Sequence, residues 1–357
     1  MLPLHPNVLW QVLFAAAAMC KRDGNCWYSI NLKPKHMAQK STRFLVLGGT
    51  GSIGYAFAQT LLRNQEHVTL LVRNRQKAQK LFGHWPTLEL VSGDAQDEEL
   101  LKSVAAEATH IFHGINYPYE KWKHYMEHVT RNVIEAAAIN KATIFFPGNI
   151  YNFGLIDVIT ENTPANPTTE KGKIRVQLEL LLQQAATQGR CRVINLRLPD
   201  FWGPNVLNEG IAPVFRGALT GKPMPWLYRN DIPHQLVYTP DAANAFYELS
   251  KLPLQQPYTE YNYAGEVVPS IKQWQAQIAA AAGTEPRYKV YPGWLFRLMG
   301  LVAPGMREIS EMGYLWQNTI LLDDSKLHQT LPNLHRTPMP QAIEETLEWF
   351  RQYLKDE

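Results

Sequence analysis

Gly48, Gly51 and Gly54, set in the run Gly48-Gly49-Thr50-Gly51-Ser52-Ile53-Gly54, carry the most specific chemistry in the sequence. Glycine at the first position can take a positive φ in a tight turn. At the second it lets backbone approach a pyrophosphate, and at the third it lets a helix pack closely on a strand. Backbone N–H groups around Thr50, Ser52 and Ile53, with a helix dipole behind them, suit negative phosphates. The glycines carry this meaning only between a strand and a helix. Arg43-Phe44-Leu45-Val46-Leu47 reads as a buried parallel strand, and Ile53, Phe57, Leu61 and Leu62 recur at helical spacing, so the context is a dinucleotide-binding turn.

Residues further along extend the same groove. His67 to Val72 reads as a second strand, whose end would carry an acidic residue for the ribose 2′-OH of NAD; here Arg73-Asn74-Arg75 stands instead. Guanidinium groups suit a 2′-phosphate, so Arg73 and Arg75 point to NADP in preference to NAD. Leu88 to Asp94 reads as a third strand, with Asp94 placed to accept from an adenine amino group, while Asp97-Glu98-Glu99 reads as a helix start. His110 to Asn116 reads as a fourth strand; Gly114 would let backbone lie against the cofactor, and Asn116 and Tyr117 begin an aromatic loop over the substrate side. His124, Glu127 and His128 match an inverted zinc-protease spacing, but they fall in a helix flanking the sheet, and no metal site is assigned to them.

This order of elements resembles the extended short-chain dehydrogenase/reductase superfamily, the group of nucleotide-sugar epimerases and dehydratases, over about residues 43 to 354. Its carriers are the glycine run, Gly93-Asp94, Thr143 to Gly154, Asn195 to Pro199 with Gly203-Pro204, and Asp323 to Lys326. The resemblance implies a Ser or Thr at the tip of the fifth strand, and Asn149 stands there. It also implies a Tyr-x-x-x-Lys pair, and the register set by Gly172 and Glu179 puts Lys171 at the tyrosine and Arg175 at the lysine. Asn149 can still donate a hydrogen bond to a carbonyl oxygen, and Arg175 can still hold a ribose or phosphate oxygen. Lys171 could act as an acid if burial and the Arg175 charge lowered its pKa; the alternative is a solvated lysine at a helix start. Tyr151 could supply a phenol if the fifth strand continued far enough to put it on the face of Asn149. Pro199 ends a further strand beside the cofactor, and Trp202 in the loop beyond is a candidate substrate wall. His234-Gln235 occupies the place of an Arg-Asp pair that clamps the diphosphate in sugar-nucleotide members. Asp241 reads as a helix cap.

The elements that must position these residues define an α/β chain: a Rossmann-type doubly wound parallel sheet with a smaller C-terminal α/β substrate-binding part. Residues 37–200 are expected to form the NAD(P)-binding core, and 201–357 mainly the substrate part with some segments returning to the core. Helices are expected over Ile271 to Ala282 and around Ile343, Leu347 and Phe350, and Pro292 to Gly313 reads as a lid or packing segment. Residues 1–36 carry an apolar run, Val8 to Cys20, followed by Lys21-Arg22; they read as a dispensable extension or as a membrane-associating or targeting segment. A net charge of +3 over 357 residues, from Lys+Arg 35 and Asp+Glu 32, gives no reason to expect nucleic acid. Three cysteines, of which only Cys191 lies beyond the extension, fit a reducing, cytoplasmic setting and no disulfide framework. No membrane contact is expected of the folded core, and the resemblance implies a possible homodimer. The expected activity is NADPH-dependent reduction of a small or medium carbonyl compound. The alternatives are a nucleotide-sugar epimerase or dehydratase, and a non-catalytic NADP(H)-binding sensor or scaffold.

Overall fold

The computed structural model describes residues 42–356 apart from Val302, so the expectations for the N-terminal extension lie outside the described residues. In chain order the strands of the main sheet are β1 (Arg43–Leu47), β2 (His67–Val72), β3 (Leu88–Ser92), β4 (His110–His113), β5 (Thr143–Gly148), β7 (Arg192–Arg197) and β11 (Tyr258–Asn262). The remaining strands, β6 (Val158–Ile159), β8 (Asp200–Trp202), β9 (Met224–Leu227), β10 (His234–Tyr238), β12 (Glu266–Val268), β13 (Tyr288–Tyr291) and β14 (Leu321–Leu322), form smaller sheets.

The main sheet runs in the order β11-β7-β5-β4-β1-β2-β3 with every pair parallel. Strand order reverses at β1, and in doubly wound sheets such a reversal opens a crevice at the carboxyl ends of the strands, where ligands bind. Side chains of β1 alternate between two cores, as period-2 geometry requires. Phe44 and Val46 join Phe57, Phe112, Phe145 and Phe246 on one face. Leu45 and Leu47 join Ile111, Val129, Ile144 and Phe146 on the other. Burial on both faces is why these strands read as continuous apolar runs rather than alternating ones. Phe57 stacks on Phe112 at 4.7 Å between centroids and Phe246 meets Phe112 edge-on at 5.2 Å, contacts that add about 0.5–1.5 kcal/mol each beyond burial.

A third core lies under the sheet of order β12-β10-β8. Trp202, Phe215 and Trp274 meet there with Ile343, Leu347 and Phe350 of the terminal helix Met339–Lys355. The Ile271–Ala282 helix presents Ile271, Trp274 and Ile278 to the same core, following the helical spacing of the sequence. Cys191 is buried, and burial pushes its thiol up to about 11, consistent with a small core residue.

Several expected features differ in the structure. The third and fourth strands stop at Ser92 and His113, so Asp94, Gly114 and Asn116 sit in loops at the carboxyl edge. Asp241 does not cap its helix: the helix begins at Thr239, and the Asp241 carboxylate accepts the N–H of Thr337 (2.9 Å) and its hydroxyl (2.6 Å), tying in the chain ahead of the terminal helix. Residues 292–313 form two short helices, Gly293–Met299 and Pro304–Glu311. No helix among the described residues is long and apolar enough to cross a membrane.

Candidate functional site

At the crevice the glycine run folds as a tight turn closed by the Gly51 N–H on the Gly48 carbonyl (2.9 Å). Gly48 adopts φ +76°, and a Cβ there would collide with the Gly114 carbonyl. A Cβ on Gly54 would collide with the Gly48 carbonyl, so strand, turn, helix and the β4 loop interlock through backbone alone. A Cβ on Gly51 would meet the Gly48 carbonyl at a tight 3.3 Å and no other atom within 4 Å. The helix Ser52–Arg63 also begins without a side-chain cap, whereas Asn74, Asp97, Thr169 and Ser270 cap other helices. Uncapped N–H groups beside a glycine that admits close approach form a cradle that fits a pyrophosphate.

Asn205 closes this cradle from the other half of the chain. It is buried at φ +60°, donates from Nδ2 to the Thr50 carbonyl at 3.3 Å, and keeps an Oδ1 with no protein partner. Sequence reading did not select Asn205; its only signal was the adjoining Gly203-Pro204. Along the crevice Arg73 is exposed, while Arg75 donates from Nη1 to the Leu90 carbonyl at 2.6 Å. Asp94 accepts from the Gln96 N–H (3.0 Å) and has Tyr117 beside it, together with Arg73. Tyr117, expected on the substrate side, is therefore at the Asp94 end, buried against Tyr125, and only Asn116 of that pair faces solvent.

The opposite end of the crevice gathers phenols and charges. β5 ends at Gly148, and Tyr151 starts a 3₁₀ turn, Tyr151–Phe153, so strand alternation is not what aligns it with Asn149. The two are linked directly: the Asn149 Oδ1 accepts the Tyr151 N–H at 3.2 Å, leaving the amide NH₂ to donate elsewhere. Tyr151 and Tyr119 share a hydroxyl–hydroxyl bond of 2.8 Å. Burial, then the nearby Tyr119 and Asp200 charges, hold the Tyr151 phenol well above its ordinary value; burial raises Tyr119 too. Tyr119 was not selected from the sequence because its aromatic loop carries no spacing signal.

Arg175 is buried, donates from Nη2 to the Pro147 carbonyl (2.7 Å), lies 4.4 Å from the Phe146 ring centroid, and leaves Nε without a partner. Burial lowers its pKa from the ordinary arginine value, opposed by Glu179. Lys171 is not a solvated helix-start lysine. It is 5% exposed, with Nζ paired to Glu308 and, at 2.9 Å, to Glu311. Glu311 also accepts the Glu170 N–H, so one short helix clamps the start of another.

On the C-terminal side, His234 Nε2 lies 2.9 Å from Asp200 Oδ2, which also accepts from the Trp316 indole at 3.0 Å. Gln235 exchanges hydrogen bonds with the Leu322 backbone. Pro199 is buried between the end of β7 and the start of β8. Trp202, expected as a substrate wall, is 1% exposed and stacked on Phe215 at 5.9 Å, so it belongs to the third core. Its neighbour Phe201 is the half-buried aromatic of that strand. His124, Glu127 and His128 lie on the solvent face of their helix, and Glu127 is bonded to Arg131 at 2.7 Å.

Sequence comparison agrees with this geometry. A family model for the NAD dependent epimerase/dehydratase family matches residues 44–264. The chain belongs to that NAD(P)-binding family. It is 29% identical over 188 residues to dTDP-6-deoxy-L-talose 4-dehydrogenase (NAD(P)(+)) of Kitasatospora kifunensis; the match spans 50% of this chain and 58% of that relative. Among solved structures it resembles UDP-glucuronic acid 4-epimerase from Bacillus cereus in complex with NAD, with TM-score 0.72 at 16% identity, covering 88% of this chain and 99% of the other. It also resembles dTDP-glucose 4,6-dehydratase from Bacillus anthracis in complex with NAD, with TM-score 0.70 at 17% identity, covering 88% and 98%. These structural likenesses show the fold, a doubly wound α/β sheet.

Proposed function

We propose that the chain is an NAD(P)-dependent oxidoreductase acting on a carbonyl group of a nucleotide-linked sugar. The reading as a reductase of small carbonyl compounds gives way to this one, because the family and the dehydrogenase relative support nucleotide-sugar chemistry better. The observation that carries the proposal is the hydrogen-bonded phenol pair Tyr151–Tyr119 beside the Asn149 amide, at the other end of the crevice from the glycine cradle.

The cradle fits the cofactor: Thr50, Gly51, Ser52 and Ile53 would hold its pyrophosphate and Asp94 its adenine. Arg73, exposed at the end of β2, supports a 2′-phosphate and hence NADP. NAD(P), when bound, supplies the hydride. Tyr151 then donates its proton to the carbonyl oxygen that becomes the hydroxyl, Tyr119 replaces that proton through their shared bond, and solvent returns a proton to Tyr119. The Tyr151 phenol is protonated at neutral pH, and the Arg175 charge favours release of its proton against the burial that opposes it. The Asn149 NH₂ steadies the same oxygen, and Arg175, anchored on Pro147, holds the positive charge beneath. Lys171 takes no part in the proton transfer, its ammonium being taken up by Glu308 and Glu311.

A second reading, a non-catalytic NADP(H)-binding protein, is favoured by that same engagement of Lys171. Titration with NADPH and NADH, followed by NADPH absorbance with a nucleotide-linked 4-keto sugar and with the free sugar, separates the readings. Turnover confined to the nucleotide-linked substrate supports the proposal. Tight NADPH binding without turnover on either supports the sensor, and turnover of both alike removes the nucleotide from the recognition.

A further inference from the structure

The segment 286–307 has an unusual surface. It contains Arg287, Lys289, Arg297 and Arg307 and no Asp or Glu. Within it Val290, Trp294, Leu298, Met299 and Leu301 are exposed at 38%, 63%, 58%, 40% and 81%. These five account for half of the ten large apolar side chains exposed among the described residues. Scattered exposed apolar residues need no explanation, but this many on one short stretch do.

The packing shows which way the segment faces. Phe296 points inward, stacked on Tyr228 at 5.2 Å, which turns Trp294, Arg297 and Leu298 outward on the Gly293–Met299 helix. The first acidic residues after the segment, Glu308 and Glu311, face inward to Lys171. The outer face is thus apolar and basic, with its carboxylates withdrawn. Arg307 is exposed (side chain 73%) and lies a loose 3.8 Å from Glu308. An indole and aliphatic side chains flanked by guanidinium groups, on helices too short to span a bilayer, match the chemistry of an interfacial anchor that lies in the headgroup layer.

We propose that the face formed by Trp294, Arg297, Leu298, Leu301 and Arg307 docks on the surface of a bilayer containing anionic lipid. The sequence alone gives no reason to expect membrane contact of the folded core. The surface differs because Glu308 and Glu311, the two carboxylates of the Pro304–Glu311 helix, are used internally. Charge complementarity selects the occupant: a bilayer bearing anionic headgroups satisfies both the basic and the apolar parts of the face. This inference is independent of the reaction proposed above.

Full-length protein is sedimented with vesicles of equimolar phosphatidylglycerol and phosphatidylcholine and with vesicles of phosphatidylcholine alone. Two variants accompany it, Trp294→Ser/Leu298→Ser/Leu301→Ser and Arg297→Gln/Arg307→Gln, both at exposed positions. NADPH binding and the thermal melt, unchanged from wild type, establish that each variant is folded. The expected result is binding to the anionic vesicles that weakens with salt and falls roughly tenfold or more in each variant. Equal vesicle binding by wild type and variants overturns the proposal and assigns the binding to residues 1–41. No vesicle binding, with a dimer of the wild type lost in the apolar variant, overturns it in favour of a second copy of this chain.

Discussion

The two ends of the crevice are built from different materials. The glycine cradle is made of backbone: Gly48, Gly54 and Gly114 meet main chain to main chain, and a side chain at Gly48 or Gly54 would intrude on a carbonyl. The reactive end is made of side chains drawn from separate stretches, with Arg175 and Asp200 close enough to Tyr119 and Tyr151 to bear on the ionisation of both phenols. A backbone device tolerates little change in its residues, whereas a side-chain device can keep its place and exchange its parts. Lys171 is such a side-chain part, buried and held by Glu308 and Glu311.

The sharpest break of the backbone end is Gly48→Val or Gly54→Val. Either forces a side chain into a carbonyl, and NADPH binding measured by fluorescence titration is expected to vanish, with loss of soluble protein as the accompanying result. At the other end Tyr151→Phe keeps the ring and removes the proton. Turnover is expected to drop by about 10²–10⁴-fold with NADPH affinity unchanged, and Tyr119→Phe by less, because it acts through Tyr151.

Lys171→Met tests the same end for stability. It leaves two largely buried carboxylates, Glu308 (12% exposed) and Glu311 (26%), without their cation, and denaturant unfolding should show a loss of about 3–5 kcal/mol. A variant as stable as wild type would mean that the clamp is solvated.

A pH series sharpens the comparison between core and crevice. His110 and His113 are buried on β4, and burial lowers them to about 4 and about 3. As pH falls below the ordinary histidine value of about 6.5, the unfolded chain takes up protons that the native chain refuses. Stability therefore falls with falling pH between about 6.5 and about 4, with a slope of up to about 1.4 kcal/mol per pH unit from each histidine. His113→Asn should flatten the slope; an unchanged slope would mean that other groups set it.

The smallest expected effect concerns cofactor choice. Arg73→Ser should weaken NADPH binding about tenfold, the value of one charge-assisted hydrogen bond, and leave NADH untouched. Arg75 is expected to matter less, since its guanidinium already serves the Leu90 carbonyl.

The sequence made the sheet and the cradle legible because both rest on local rules: apolar runs for doubly covered strands, and glycines where backbone must approach backbone. Asn149, Lys171 and Arg175 were singled out through resemblance, and the surroundings the structure gives them were not legible in the sequence. Lys171 finds its partners about 140 residues away in a segment with no recognisable pattern, and Tyr119 meets Tyr151 across 32 residues. Trp202 shows the converse. An aromatic after a strand reads equally well as a pocket wall or as core, and only the third hydrophobic cluster decides that it is core.

The central claim is that the proton comes from Tyr151 and that Lys171 is an ion-pair anchor. The measurement that tests it most directly is NADPH consumption by Lys171→Arg beside Tyr151→Phe, on the nucleotide-linked 4-keto sugar at saturating NADPH. Arginine keeps the charge for Glu308 and Glu311 but cannot donate its proton, so the account predicts near wild-type turnover for Lys171→Arg and a loss of about 10²-fold or more for Tyr151→Phe. Loss of turnover in a stably folded Lys171→Arg, with Tyr151→Phe still active, would contradict it.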